Sequence, residues 1–295
     1  MVLRLVILQL VFLLLAPLST AQEDEREGGI IGTGIVGTIT HLGSIFVNRQ
    51  HIFIDDALPV TGAVPPRSAG ALRVGHVVSV VVRPDGDKWR ARHIRQILPL
   101  VGPVEAIGQG TLTVMGTSVK LDEPDPRLQI GDWVAVSGLW QGQAVRASRV
   151  EPVPDADRTA RLSGTYFGTD KDVRDVVGGT VITGIKTQHL KSGDLIRVFG
   201  QPVPGGINAT RLESNLFDTT VGIIQAEGYF SAPRPDGLYT ILGTGLVAYT
   251  DQPNMVDAVK RTVLCGRDGD LGNPTIALDD MENANALLGR LGCTP

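Results

Sequence analysis

Positive charge, aromatic rings and long apolar runs are all scarce in this 295-residue chain. Lys and Arg number 27 against 31 Asp and Glu, for a formal net charge of −4 and an isoelectric point near 5.7. That balance argues against binding a nucleic-acid backbone, which needs clustered cations. Aromatics are 5% of residues, whereas Gly (36) and Pro (18) are abundant. Few rings and many turn formers suit small β units with modest cores. Catalytic signatures are missing as well. No nucleophile elbow surrounds a serine, and the glycines at 32, 34 and 37 precede no helical pattern that could hold a phosphate. Paired carboxylates occur, but in a chain this acidic they carry no information. Neither an enzyme nor a cofactor is expected.

One apolar run does stand out, at the N-terminus. Arg4 is followed by apolar residues from Leu5 to Leu15, Pro17 breaks the run, and Ser19-Thr20-Ala21 supplies small residues. This pattern predicts a signal peptide over 1–21, cleaved after Ala21. The run is shorter than the ~20 residues of a membrane span. No cysteine follows the small residues, so no lipid anchor is indicated, and no integral span is expected after cleavage. The expected compartment is the periplasm, the cell surface or the secreted fraction. Residues 22–31, with Glu23-Asp24-Glu25-Arg26-Glu27, read as a flexible acidic arm. In an oxidising compartment the two cysteines, Cys265 and Cys293, predict one disulfide.

What is present is repetition. Leu72-Arg73-Val74-Gly75-His76 returns as Leu128-Gln129-Ile130-Gly131-Asp132 and as Leu190-Lys191-Ser192-Gly193-Asp194. An alanine lies sixteen residues after each glycine (Ala91, Ala147, Ala209) and an aliphatic nineteen after (Ile94, Val150, Leu212). Such offsets mark homologous units. The cleanest spans 102–151: Leu112-Thr113-Val114-Met115 alternates as a half-buried strand, Gly116-Thr117 turns, and Ser118-Val119-Lys120-Leu121 returns. The unit at 32–98 aligns with it at an offset of 67 through the first hairpin and 56 at the glycine, so it carries eleven extra residues. The loop 59–70, rich in Gly and Pro, is expected to hold them in an exposed position. A third unit, 160–214, keeps its second half well and its first half poorly. The segment 217–295 begins as β, around Arg234-Pro235-Asp236-Gly237, then changes to helical spacing at Met255, Val256, Val259 and Val263 and again over 278–291. It reads either as a fourth, degenerate unit or as a separate helical cap closed by the disulfide.

A glycine-led strand, a short hairpin, Leu-x-x-Gly-Asp, a Val-rich strand, a glycine turn and a closing Ala-x-Arg-Val strand together resemble the bacterial domain of unknown function 5666. The resemblance implies exported, often tandem, OB-like β-barrels and transfers no catalytic residue. His76 departs from it, standing where the pattern has Asp. About five strands per roughly 60 residues also suits a small Greek-key barrel. The expected fold class is therefore mainly β: tandem small OB-like barrels with a mixed α/β, disulfide-closed C-terminal segment.

Three sets of residues are candidate sites. Four of the five histidines fall in the first unit, and His51, His76 and His93 are the candidate metal ligands; isolated surface histidines are the competing reading. Asp268 to Asn273 has a faint calcium-loop spacing, but its sixth position is Asn273 where glycine is required. Trp140, beside a turn glycine, is the candidate ligand-facing ring, whereas Trp133 occupies the place of Val77 and Leu195 and reads as core. The expected function is non-enzymatic binding or scaffolding with an envelope protein or glycan as partner. The alternatives are metal binding by the first-unit histidines or glycan binding through Trp140.

Overall fold

The computed structural model describes residues 32–123, 125–267, 276–277 and 293. The chain is mainly β, and the strands fall into groups of five. The first group is β1 (Thr33–Leu42), β2 (Ile45–Val47), β3 (Gln50–Phe53), β4 (Val77–Asp85) and β5 (Lys88–Ile97). The second is β6 (Leu100–Gly108), β7 (Thr111–Val114), β8 (Thr117–Lys120), β9 (Trp133–Gln141) and β10 (Ala144–Pro152). Both close into five-stranded barrels by the same pairings. Strands one, two and three form an antiparallel meander, the third pairs parallel with the fifth, the fifth with the fourth, and the fourth returns to the first.

The third group is β11 (Ala160–Thr165), β12 (Val176–Val177), β13 (Thr180–Thr183), β14 (Leu195–Val203) and β15 (Gly206–Glu213). It keeps the order, including the parallel β13–β15 pair, but β11 and β12 do not pair, so the ring is open at that seam. The fourth group is β16 (Ile223–Gly228), β17 (Leu238–Ile241), β18 (Leu246–Tyr249), β19 (Thr262–Arg267) and β20 (Ile276–Ala277). Here β16 pairs with β19, β19 with β20, β17 with β18, and a single bridge, Phe230 to Ile241, links the segment just after the first strand to the second. This is the strand order of a fourth, incomplete unit.

The helical spacing at 255–263 does not produce an α-helix. Pro253–Met255 is a single 3-10 turn, and Thr262 already begins β19. The four-residue spacing of Val259 and Val263 is accidental: Val259 is 76% exposed, whereas Val263 is a buried strand residue. The predicted helix over 278–291, the calcium-like loop, the leader and the acidic arm all lie outside the described residues. Cys265 of β19 is disulfide-bonded to Cys293, with Cα atoms 6.4 Å apart. No helix among the described residues is long and apolar enough to cross a membrane.

The recurring glycine has a physical reason. Gly75, Gly131 and Gly193 have φ of +90°, +94° and +104°, a region that L side chains rarely occupy. This conformation turns the chain so that the glycine N–H donates to the first strand of its own unit, at Ile39 O (2.9 Å) and Val104 O (2.8 Å), or to the residue just after it, at Tyr166 O (2.8 Å). The same three residues donate their N–H back to the carbonyl after the glycine, at His76, Asp132 and Asp194, each at 2.8 Å. The motif is thus a clamp that starts the fourth strand beside the first. The aspartates complete it, since Asp132 Oδ2 accepts from Gln129 N (2.8 Å) and Asp194 Oδ2 from Lys191 N (2.7 Å).

The units are joined by strands as well as side chains. β1 pairs in parallel with β16, bringing Val36 opposite Ala226, and β6 pairs with β11, bringing Leu100 opposite Leu162. Between the second and third units the Glu105 carboxylate accepts from Gly116 N (2.7 Å) and Gly205 N (2.9 Å). The first barrel has its own core around Ile35, Ile39, Ile52 and Val80, whereas the second and third share one, from Val134 and Val136 to Ile196 and Ile207.

The insertion is not the exposed loop that its composition predicts. Two short strands, Pro59–Thr61 and Arg67–Ser68, pair with each other, and the former pairs with β5. Val60, Ala63, Val64 and Ala69 are buried. Val64 packs with Leu98, Val101, Ala135 and Val153 of the first two units and the linker after the second. Apolar residues interspersed with the glycines and prolines let this segment fill a seam. Val136, fully buried in the shared core, gives a direct check. Val136→Asp places an unpaired charge there and costs on the order of 4–5 kcal/mol. Chemical denaturation will show a lost or strongly shifted transition; an unchanged midpoint contradicts this packing.

Candidate binding face

The outer face of the first barrel carries a row of rings. β2 and β3 are joined by Asn48-Arg49, both with positive φ (51° and 62°), the turn that matches hairpin twist. This turn sets Phe46 opposite His51, and the β1–β2 pairing sets His41 opposite Phe46. Phe46 and His51 are stacked, with centroids 4.5 Å apart and planes 3° from parallel. His41 meets Phe46 edge-on at 5.9 Å, and Phe53 leans on His51 at 4.9 Å. Beside Phe53, Lys88 Nζ lies 5.0 Å and Arg90 Cζ 5.6 Å from the ring centre. Arg90 is held by Asp85 at 2.8 and 2.5 Å, while Lys88 makes no ion pair among the described residues. The result is a half-exposed strip of four rings, one pair stacked and the outer two turned edge-on or tilted, edged by cations, on the strands that OB folds use to hold extended ligands. In the second unit the same places are Thr113, Ser118 and Lys120, and Thr113 pairs with Ser118 as Phe46 does with His51.

The metal candidates do not converge. His51 is in the stack. His93 is exposed on β5. His76 is fully buried, with both ring nitrogens engaged. Its Nδ1 accepts from Arg73 N (3.1 Å), in the role that the aspartate carboxylates play in the sister clamps, and its Nε2 lies 2.8 Å from Glu151 Oε2. An accepting Nδ1 places the proton on Nε2, which donates to the carboxylate. Among the described residues no group of three His, Cys, Asp or Glu side chains is placed to hold a metal ion.

His76 is therefore a joint. Glu151 ends the second barrel, and Arg67 of the insertion also reaches it, at 3.3 Å. Ser148 Oγ of the same strand donates to Gly75 O at 2.5 Å. Burial alone raises the Glu151 pKa. The hydrogen bond and any positive charge from His76, the bond from Arg149 and the charge of Arg67 outweigh burial and hold it at about 2.

Trp140 is buried, not an exposed ring. It is 5% exposed, and its indole N–H donates to Ser163 O of the third unit at 2.8 Å. Glycines let it in: a Cβ on Gly178 would lie 2.5 Å from the ring, and one on Gly243 of the fourth unit 2.8 Å. Trp140 forms the floor of a cleft of about 710 Å³ whose walls include Phe167, Val177, Phe230, Leu242 and Val259. Trp133 is half-buried against the shared core, with Arg158 over its ring at 5.9 Å.

Residues 101–151 match the family model described as Domain of unknown function (DUF5666). The second unit is similar to this family, whose model covers 51 of the 295 residues. The match ends where β10 ends and does not extend over the first or third unit, although the DUF5666 unit and the first barrel share every strand pairing. No curated protein and no solved structure matches the chain.

The ring strip was hidden in plain alternation. The sequence places His51 on a strand, but Phe46, His51 and Phe53 share a face only once the hairpin register is known. Lys88 and Arg90 join them through a parallel pair that no sequence motif announces. A pH prediction follows from the joint. A carboxyl held below its ordinary 4.5, at about 2, contributes stability that is fully present above pH 4.5 and fades as pH falls towards 2. Acid unfolding monitored by circular dichroism will show Glu151→Gln less stable than the parent at pH 7 and the two converging near pH 2. Equal stabilities at neutral pH contradict the role.

Proposed function

We propose that this chain is an exported, non-enzymatic binding or scaffolding protein of the bacterial periplasm or cell surface, and that the first barrel presents its ligand-contacting face. The strip His41–Phe46–His51–Phe53 with Lys88 carries this reading. The open faces and edges of such rings suit the apolar C–H faces of sugar rings, and a bordering cation suits a carboxylate-bearing glycan. Only the first of the two closed barrels has these side chains, so the DUF5666 unit and its neighbours serve as a frame. Strand pairing between units supports that role, because it holds the face at a fixed place without a flexible linker. The leader pattern supports export, and the absence of any nucleophile elbow or phosphate loop in the sequence supports binding without turnover.

Affinity electrophoresis of the full chain through gels containing acidic polysaccharides tests the proposal. Retardation is expected, and Phe46→Ala and Phe53→Ala each weaken it about five- to tenfold, the worth of one aromatic contact, with the thermal midpoint held within a few degrees. Retardation that ignores both substitutions removes this face, and release of sugars by the pure protein removes the non-enzymatic reading.

A further inference from the structure

A second cluster, independent of the ring strip, lies where the first and third units meet. Along the outside of the third unit, strand register sets Arg161, Phe199 and Arg211 in one row and Arg197 beside Glu213 in the next. Arg211 Cζ lies 4.0 Å and Arg161 Cζ 5.6 Å from the Phe199 ring centre, so both guanidinium groups sit against one ring. Arg95 arrives from β5 of the first barrel. The acids available are few. Glu213 is shared by Arg197 (3.3 Å), Arg211 (3.2 Å) and Arg95 (3.8 Å), and Asp218 pairs with Arg95. Arg161 makes no ion pair among the described residues; its one hydrogen bond is to Gly62 O of the insertion, at 3.0 Å. Asp157 also acts on Arg161 through its charge, without a direct ion pair, so four guanidinium groups face three carboxylates in a half-buried seam.

Like charges crowded in partial burial repel unless something answers them. Burial and the charge of Arg211 lower the Arg161 pKa against the opposing charges of Asp157 and Glu213, and burial and the charge of Arg95 outweigh Glu213 and Asp218 to hold Arg197 down to about 10. The Nε atoms of Arg95, Arg161 and Arg197 are buried with no hydrogen-bond partner, although buried donors are normally satisfied. A cavity of about 30 Å³ opens between Gly62, Arg95, Arg161, Ser163, Arg197 and Phe199. It admits one or two oxygen-sized atoms, the tip of an anion rather than a whole ligand.

We propose that this seam is an oxyanion site: Arg161, Arg95 and Arg197 line the cavity that takes the oxygen atoms of a phosphate, sulfate or carboxylate group, and Arg211, against the Phe199 ring at its border, adds its charge. The forked geometry of guanidinium suits such groups. The group is either a free ion or the substituent of a polymer, and the shared chemistry is the same.

Calorimetric titration of the full chain, at ionic strength matched with chloride, tests the site. The probes are inorganic phosphate, inorganic sulfate and dextran sulfate. Saturable binding of at least one is expected. Arg161→Gln and Arg211→Gln each weaken it about tenfold or more, the worth of a charge-assisted hydrogen bond, and Arg161→Lys weakens it less. Arg211 is exposed, so its variant keeps the test valid if Arg161→Gln fails to fold. Binding of the ions supports the site and assigns it to free anions; arginine-dependent binding of dextran sulfate alone supports it and assigns it to polymer substituents. No saturable binding of any probe, or binding that both glutamine variants leave unchanged, overturns it.

Discussion

Everything in this fold depends on a backbone glycine that turns with positive φ and hydrogen-bonds to the opening strand of its own unit. A five-stranded barrel of this order must bring its fourth strand back beside its first. The clamp at Gly75, Gly131 and Gly193 performs that return with two mutual backbone bonds each time. It needs no particular side chain at the glycine, only the freedom to adopt φ near +90°. The one side chain that matters comes next, as an acceptor for the turn. Asp fills this place in the second and third units, where its carboxylate accepts from the turn. Where it faces the second barrel, His76 accepts with Nδ1 and reaches across with Nε2. An aspartate would have set a second carboxylate against Glu151, so the substitution follows from the electrostatics of the joint.

Units this small bury only ~60% of their unfolded surface and are marginal alone. This chain answers by sharing. The second and third units have one core, with Trp140 of the former bonded to a carbonyl of the latter. The insertion seals the first unit against its neighbours, with Val64 buried, Arg67 on Glu151 and Gly62 O accepting from Arg161. The two sister glutamates, Glu151 and Glu213, close equivalent last strands, and each pairs with one arginine of the first unit (Arg67 and Arg95) as well as with arginines of its own. A position that reads as a polar strand end in isolation is thus an ionic fastener between units.

The repeated architecture was legible because it rests on local constraints: glycine at a left-handed turn, alternation in Leu112–Val114, a cysteine pair. The misreadings share a different cause. Val64 and Ala69 lie in a Gly- and Pro-rich segment, and local composition carries no information about a neighbouring surface that buries it. Trp140 sits beside a turn and looks exposed until Gly178 and Gly243, from two other units, are seen to leave it room. Val259 and Val263 have helical spacing, yet one is a loop residue and the other enters β19 opposite Glu227. Of the histidines of the first unit, strand register keeps His41 and His51 together in the ring strip, while His76 is buried in the joint and His93 is exposed on β5. What could not be read locally was in each case decided by contact between units.

The parallel pairing of β1 with β16 joins the beginning of the chain to a segment 190 residues later, since Val36 lies opposite Ala226. A chain emerging from its N-terminus therefore makes its first barrel long before the strand that covers β1 exists. Until then that edge offers unpaired amide and carbonyl groups to any extended peptide. The last unit, incomplete as a barrel of its own, is for the first one its missing border, so a product truncated after the third unit retains two closed rings and an adhesive rim.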